Sequence, residues 1–142
     1  MVSRRKSTEA PQLSSSNNKK KKILFVDDEP DIIYSIKRVL EGNGFVVDSY
    51  TDPTLALSNF KPGLYDLLLL DIRMPKMDGF ELYQKMKEID NNVKICFLTA
   101  SELFYEEYRR LDAYPSLDKA YFIQKPFRSE DLIHRLNEIL SS

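Results

Sequence analysis

Five polar residues that follow short apolar runs could together do phosphoryl chemistry; they are Asp27, Asp28, Asp71, Thr99 and Lys125. Three neighbouring carboxylates repel one another and demand a cation. Mg²⁺ fits because it prefers hard oxygen ligands and retains several waters. A carboxylate beside Mg²⁺ can attack phosphorus to form an aspartyl-phosphate, and we expect Asp71 to be that nucleophile. Lys125 would offset phosphoryl charge, and the Thr99 hydroxyl would donate to a phosphoryl oxygen.

Asp71 carries the strongest signal of the five. Four consecutive leucines precede it, and Pro75 follows before a helix can start. A continuous apolar run bounded by turn residues is typical of a strand buried on both faces, so Asp71 should stand at an edge of the sheet. The plainer interpretation makes each carboxylate a helix cap or a turn residue. It is credible for Asp28 alone, but it does not explain five polar groups at four strand ends.

Hydrophobic periodicity predicts five strands alternating with five helices. Strands are predicted over 22–26, 45–50, 67–70, 93–98 and 121–123, and helices over 31–40, 53–60, 79–90, 101–112 and 128–140. Asp52 and Asp78 are predicted N-caps, and Ile89 is predicted to face the core. The alternation implies an α/β fold with a doubly wound parallel sheet, strand order 2-1-3-4-5, of the flavodoxin-like type. Ligands of such sheets lie beyond the carboxyl ends of the strands, where the five polar residues stand.

Composition predicts one compact domain over 22–142 and a disordered basic tail over 1–21. The chain has 142 residues, 42% of them hydrophobic, and a net charge of −1, but seven basic residues and one acid fall within positions 1–22. The tail is either a solubilising extension or a contact for nucleic acid or a membrane surface. One cysteine, Cys96, and one histidine, His134, argue against a disulfide and multi-histidine metal sites. With no apolar run long enough for a membrane span and no signal peptide, we expect a cytoplasmic protein.

From about residue 22 to 141 the chain resembles the receiver domain of two-component response regulators. The resemblance is carried by Asp27-Asp28, Asp71, Met74-Pro75, Asp78-Gly79, Thr99-Ala100 and Lys125-Pro126-Phe127. It implies that a sensor histidine kinase phosphorylates Asp71. It also implies that Asp28, Asp71 and the backbone carbonyl of Arg73 bind Mg²⁺ with help from Asp27, and that Thr99 and Lys125 contact the phosphoryl group.

The same resemblance implies a switch formed by Thr99 and an aromatic residue three positions before the lysine, here Phe122. Such a pair forms a two-state element that a local charge change can bias. Phe122 lacks a hydroxyl, so its inward state cannot be held by a phenol hydrogen bond. Taken without the family, a phenylalanine at position 122 is more often an ordinary core residue.

Output in the resembled family passes through the face of the fourth predicted helix, the fifth strand and the last helix. Here Thr99 and Lys125 stand 26 positions apart, which is a few more than the family usually has, and the fourth predicted helix is rich in aromatic residues. We therefore do not assign the family's mode of dimerisation to this chain. Because the chain ends right after the last predicted helix, we expect a stand-alone receiver that signals through protein contacts or passes phosphate to a histidine phosphotransfer protein.

Two other functions stay open at this point. A Mg²⁺-dependent phosphatase of the haloacid-dehalogenase type also forms an aspartyl-phosphate, but it has two aspartates two residues apart after its first strand, whereas Asp27 and Asp28 are adjacent. A phosphate-independent binding module, with its tail on nucleic acid, would not need the acidic pair, Thr99 and Lys125. A nucleotide-binding enzyme is disfavoured because the four glycines form no phosphate-cradling loop. We therefore expect a signalling acceptor with self-phosphorylation and self-dephosphorylation at most, and not a turnover enzyme.

Overall fold

The computed structural model describes residues 19–100 and 121–142. Five strands and four helices lie in this part of the chain: β1 (Lys22–Val26), α1 (Pro30–Gly42), β2 (Val46–Tyr50), α2 (Pro53–Asn59), β3 (Leu67–Asp71), α3 (Gly79–Ile89), β4 (Lys94–Ala100), β5 (Phe122–Lys125) and α4 (Ser129–Ser141). The helix predicted over 101–112 lies outside the described residues, as do positions 1–18 of the predicted tail. The predicted division into tail and domain stays a prediction.

The strands form one parallel sheet in the order β2-β1-β3-β4-β5, which confirms the predicted topology. The register aligns Phe25 with Leu69 and Leu69 with Cys96, so β3 lies between β1 and β4 at the centre. All five residues of β3 are buried, as a strand covered on both faces requires. The order turns back between β1 and β3, and this is the point where a crevice opens at the carboxyl edge.

Two apolar layers cover the two faces of the sheet. Alternate residues of β3 belong to different layers: Leu68 and Leu70 pack with α2 and α3, whereas Leu67 and Leu69 pack with α1 and α4. This two-residue alternation is the ordinary geometry of a strand, and it explains why every position of β3 is apolar until the edge is reached.

Aspartate side chains cap the starts of α2 and α3. The Asp52 carboxylate accepts a hydrogen bond from the Thr54 amide at 2.9 Å, and Asp78 accepts one from the Glu81 amide at 2.9 Å, which confirms both predicted N-caps. The inward prediction for Ile89 is wrong, because this side chain is 44% exposed at the last turn of α3. The core beneath α3 ends at Met86, so periodicity continued by one turn too far.

β4 and β5 each extend two residues beyond their predicted ends, and both extensions concern the candidate site. β4 continues to Ala100, and β5 continues to Lys125 because Ala100 and Lys125 are partners in the parallel ladder. The exposed Gln124 breaks the apolar pattern of β5, which is why hydrophobicity alone ended this strand too early. Within the described ranges, no helix combines the length and apolar character needed to cross a membrane.

Candidate functional site

Three carboxylates meet at the carboxyl edge of the sheet. Asp27 and Asp28 follow β1, and Asp71 is the last residue of β3; each offers an oxygen within 4.8 Å of the others. Asp27 is fully buried and Asp71 nearly so, whereas Asp28 is partly exposed and leaves the cluster open to solvent. The structure therefore brings together the three acids that the sequence singled out.

Lys125 reaches this acidic cluster from the end of β5. Its Nζ lies 3.1 Å from Asp27 Oδ2 and 3.5 Å from Asp71 Oδ1. A third acid, Glu29, stands 3.9 Å from the same ammonium and is largely exposed. Sequence reasoning missed Glu29, although its position directly after the acidic pair was a usable signal. One ammonium thus faces three carboxylates, so negative charge predominates at the cluster.

Burial and charge repulsion hold the site acids toward their protonated form. Burial raises the pKa of Asp71 to about 7, with the neighbouring Asp27 charge adding to the rise and Lys125 opposing it. Burial also raises the pKa of Asp27, although hydrogen bonds from the Glu29 amide and from Lys125 partly offset this. Burial alone would lower the pKa of Lys125, but the charges of Asp71 and Asp27 raise it above its usual value. A bound cation would relieve the repulsion.

Thr99 stands beside this cluster, one position before the end of β4. The ladder pairs Asp71 with Leu98, so Thr99 follows the direct partner of Asp71. The side chain is fully buried, and its hydroxyl lies 3.4 Å from the Ala100 carbonyl, a long contact. The hydroxyl is therefore only weakly engaged at the edge where Asp71 stands.

The loop after β3 is pressed against the backbone of Asp71. The Gly79 amide donates to the Ile72 carbonyl at 2.8 Å, and a Cβ added at Gly79 would lie 2.4 Å from the Asp71 carbonyl oxygen. Arg73 is the second residue of this loop, and its side chain is exposed. Lys76 has a φ of 74° and lies 2.9 Å from Asp52 Oδ2, which ties the loop to the start of α2. These contacts position the backbone that carries Asp71 and Arg73.

Phe122 points into the core in this structure. Its ring is 7% exposed, and its centroid lies 5.2 Å from that of Phe97 and 6.2 Å from that of Phe80. This arrangement agrees with the interpretation of Phe122 as a core residue. The switch role implied for Thr99 and Phe122 stays a prediction.

Arg135 of α4 is a second contact that sequence reasoning missed. Its guanidinium donates to the backbone carbonyl of Phe122. The available signal was its spacing: position 135 lies three residues after Leu132 and four before Ile139, both of which are buried, and thus on the edge of the apolar stripe.

Cys96 and His134 lie apart from the site. Burial raises the pKa of the Cys96 thiol to about 12, which keeps it protonated and inert. His134 is exposed and lies 3.4 Å from Glu138, as expected for a solvated helix residue.

The acidic cluster fits a Mg²⁺ ion by the chemistry of its donors. Its members are carboxylate oxygens close enough to share one ion, and the open side at Asp28 leaves space for the waters that Mg²⁺ retains. The raised pKa values of Asp27 and Asp71 show that their negative charges are unfavourable in this site, and a bound cation would stabilise those charges. The backbone carbonyl of Arg73 remains a predicted ligand.

Curated relatives with similar sequences are regulatory proteins. The chain is 35% identical over 114 residues to the transcriptional regulatory protein DltR of Streptococcus agalactiae, a match that covers 80% of this chain and 49% of DltR. It is 32% identical over 118 residues to the transcriptional regulatory protein PrrA of Mycobacterium leprae, covering 83% of this chain and 49% of PrrA. The chain therefore spans about half the length of these relatives.

Two solved structures with the same fold are described as receiver domains. A CheY-like response regulator receiver domain protein from Methanospirillum hungatei superposes with a TM-score of 0.73 at 30% identity, covering 86% of this chain and 94% of that one. The non-phosphorylated HemR receiver domain from Leptospira biflexa gives 0.74 at 29% identity, covering 87% and 96%. The family model described as the response regulator receiver domain matches residues 23–137. The chain belongs to the response regulator receiver domain family.

Proposed function

We propose that this chain is the phosphoryl-accepting component of a two-component phosphorelay, with Asp71 as the acceptor and a histidine kinase as the donor. One observation carries the proposal: three carboxylates within 4.8 Å of one another share the carboxyl edge with an ammonium 3.5 Å from Asp71. The chain's membership in the receiver family supports this assignment.

The reaction assigned to the site is a phosphoryl transfer. The carboxylate of Asp71 attacks phosphorus, a P–O bond forms as the P–N bond to the kinase imidazole breaks, and the imidazole leaves with the bonding electron pair and takes up a proton. Asp71 must be deprotonated to attack, and its pKa of about 7 leaves that form well populated near neutral pH. The Lys125 ammonium faces the phosphoryl oxygens, and the Thr99 hydroxyl donates to one of them.

Asp27, Asp28, Asp71 and the Arg73 carbonyl are the proposed ligands of Mg²⁺. The ion would neutralise charge on the transferring group. Asp27 contributes from a fully buried position, where Lys125 and the Glu29 amide hold its carboxylate. The Asp27 side chain is therefore fixed, whereas the more open Asp28 can adjust to an incoming ion.

The site is proposed to accept phosphate rather than to turn over a phosphate ester. Partners would be a sensor histidine kinase, and then a histidine phosphotransfer protein or another protein on the face that includes β5 and α4. The basic tail is the part of the chain that would contact nucleic acid, if any does, and no membrane partner is proposed. The cytoplasmic location stays a prediction from the sequence.

Acetyl phosphate tests the proposal without a cognate kinase. Incubation with acetyl phosphate and Mg²⁺ should give an acid-stable, hydroxylamine-labile phosphate on the wild type and none on Asp71→Asn. Asp28→Asn should bind Mg²⁺ more weakly and need a higher Mg²⁺ concentration for the same labelling. Asp31→Asn is the matched control, because Asp31 is an exposed acid in the first turn of α1. Equal labelling of wild type and Asp71→Asn would refute the acceptor assignment, and rapid turnover of a phosphate ester would favour a phosphatase.

A further inference from the structure

Arg135 connects the last helix to the strand that carries Lys125. Its guanidinium Nη1 donates to the carbonyl of Phe122, the first residue of β5, and its Nε lies 3.8 Å from Glu138 Oε1 one turn further along α4. About a third of the Arg135 side chain is exposed, so most of it packs against the protein. A partly buried, charge-assisted hydrogen bond is stronger than a neutral one and restricts where its acceptor can lie.

β5 is the element whose position needs such a restraint. It has four residues and lies at the edge of the sheet, so β4 is its one strand neighbour among the described strands. Phe122 and Lys125 are the two ends of β5, about 10 Å apart along an extended backbone. A shift of the strand along β4 would therefore move both residues together.

The contacts at the Lys125 end tolerate little movement. Its Nζ lies 3.1 Å from Asp27 and 3.5 Å from Asp71, the second distance at the limit of hydrogen-bond range, so after a slip of about 1 Å the four-carbon stem would have to change rotamers to keep both contacts. The ring of Phe122 packs on Phe97 from one face of the sheet, and Arg135 comes from α4, whose buried side chains pack on the other face. The start of β5 is thus held by two independent contacts.

We propose that Arg135 is a positioning residue for the acceptor site: by holding the Phe122 carbonyl it fixes β5 along the sheet, and with it the placement of the Lys125 ammonium beside Asp71. The part of this inference that concerns phosphate rests on the proposed function. The part that concerns the placement of Lys125 does not, because it describes the protein without any ligand.

The ligand-free protein provides the first test. The ¹⁵N resonance of the Lys125 ammonium, assigned with Lys125→Arg, should shift in Arg135→Gln and return toward wild type in Arg135→Lys, since a lysine ammonium can donate to the same carbonyl. Arg128→Gln removes the same charge from an exposed position at the start of α4 and should leave the resonance unchanged. An unchanged Lys125 resonance in Arg135→Gln would overturn the proposal. Urea unfolding of each variant separates displacement of Lys125 from loss of the fold.

The second test uses beryllofluoride with Mg²⁺ as the probe of the acceptor site. In Arg135→Gln, the bound fluorine that faces the ammonium should shift in the ¹⁹F spectrum, and phosphorylation by acetyl phosphate should slow by about tenfold. Arg128→Gln should match wild type in both measurements. A shifted Lys125 with unaltered fluorine signals and rates would overturn the role of Arg135 in the reaction. Failure of wild type to bind beryllofluoride would instead overturn the proposed function and leave the ligand-free test to decide on Arg135.

Discussion

Gly79 is the position where a single methyl group should disturb Asp71 most directly. An added Cβ would lie 2.4 Å from the Asp71 carbonyl oxygen, 3.0 Å from Ile72 Cα and 3.1 Å from the Asp71 carbonyl carbon. All three are backbone atoms at the buried end of β3 and the residue after it, so no flexible side chain can move aside. Glycine is needed here because of this close approach, and Gly79→Ala must displace either α3 or Asp71.

The expected magnitude follows from the overlap. The shortest contact falls about 1 Å short of an ordinary van der Waals separation. Forced overpacking of this kind costs about 1–3 kcal/mol, and the better helix propensity of alanine offsets at most about 1 kcal/mol of that. A displacement of this size at a reacting group can slow a reaction by about a hundredfold. We expect Gly79→Ala to lower the free energy of unfolding and to slow phosphorylation by ten- to a hundredfold.

Two measurements on matched variants check this reasoning. The chain has no tryptophan, so urea unfolding is followed by far-UV circular dichroism, and phosphorylation by acetyl phosphate is measured below the unfolding transition. Gly42→Ala is the control, because its added Cβ meets nothing within 4 Å at the end of α1. It should raise stability by about 0.5–1 kcal/mol and leave phosphorylation unchanged. Wild-type stability and wild-type phosphorylation in Gly79→Ala would refute the close-approach argument.

Three further predictions concern stability. The raised pKa of Asp71 makes the native state bind more protons than the unfolded chain between about pH 4 and 7, so the free energy of unfolding should fall as pH rises through that window. Asp71→Asn should flatten this dependence on pH, and urea titrations at pH 8 should show it to be more stable than wild type by about 1–3 kcal/mol. Lys76→Gly should be more stable than Lys76→Ala by about 0.5–1 kcal/mol, because both variants lose the ion pair and only glycine adopts a φ of 74° without strain. Equal melting temperatures of the two variants would contradict this. The Asp90 carboxylate accepts hydrogen bonds from the amides of Gly63 and Asn92, and these bonds lower its pKa. Asp90→Ala should therefore lower the free energy of unfolding by about 1–3 kcal/mol at pH 7, and this loss should shrink as pH falls below 4. A loss of stability that does not depend on pH would show that the charge is not involved.

The central strand and the position of the acids could be predicted because both follow from short-range rules. Four leucines ending in Asp71 identify a strand buried on both faces, and parallel strands must present their carboxyl ends at one edge. The site was therefore predictable as a set of residues before any distance was known. Sequence order alone placed Asp27, Asp71 and Lys125 together, although up to 98 residues separate them.

The remaining features depend on distances that no local pattern encodes. The true end of β5 at Lys125 follows from its pairing with Ala100, and an exposed Gln124 hides this pairing from a hydrophobicity reading. The contact between Arg135 and the Phe122 carbonyl depends on how far α4 sits from the sheet edge. Ile89 was misplaced because periodicity shows the direction of a side chain but not where the neighbouring core ends.

The distribution of charge in the site distinguishes the two buried aspartates and supports the separate roles proposed for them. Lys125 lies nearer to Asp27 than to Asp71, and Asp27 also receives the Glu29 amide, so Asp27 is the better compensated carboxylate. The Asp71 carboxylate lies farther from the ammonium, and burial together with the Asp27 charge raises its pKa to about 7, which makes it a basic carboxylate. A nucleophile benefits from that basicity, whereas a fixed ligand benefits from being held. Lys125 lies closer to Asp27 than to Asp71, and this difference in distance both restrains Asp27 and leaves Asp71 more available.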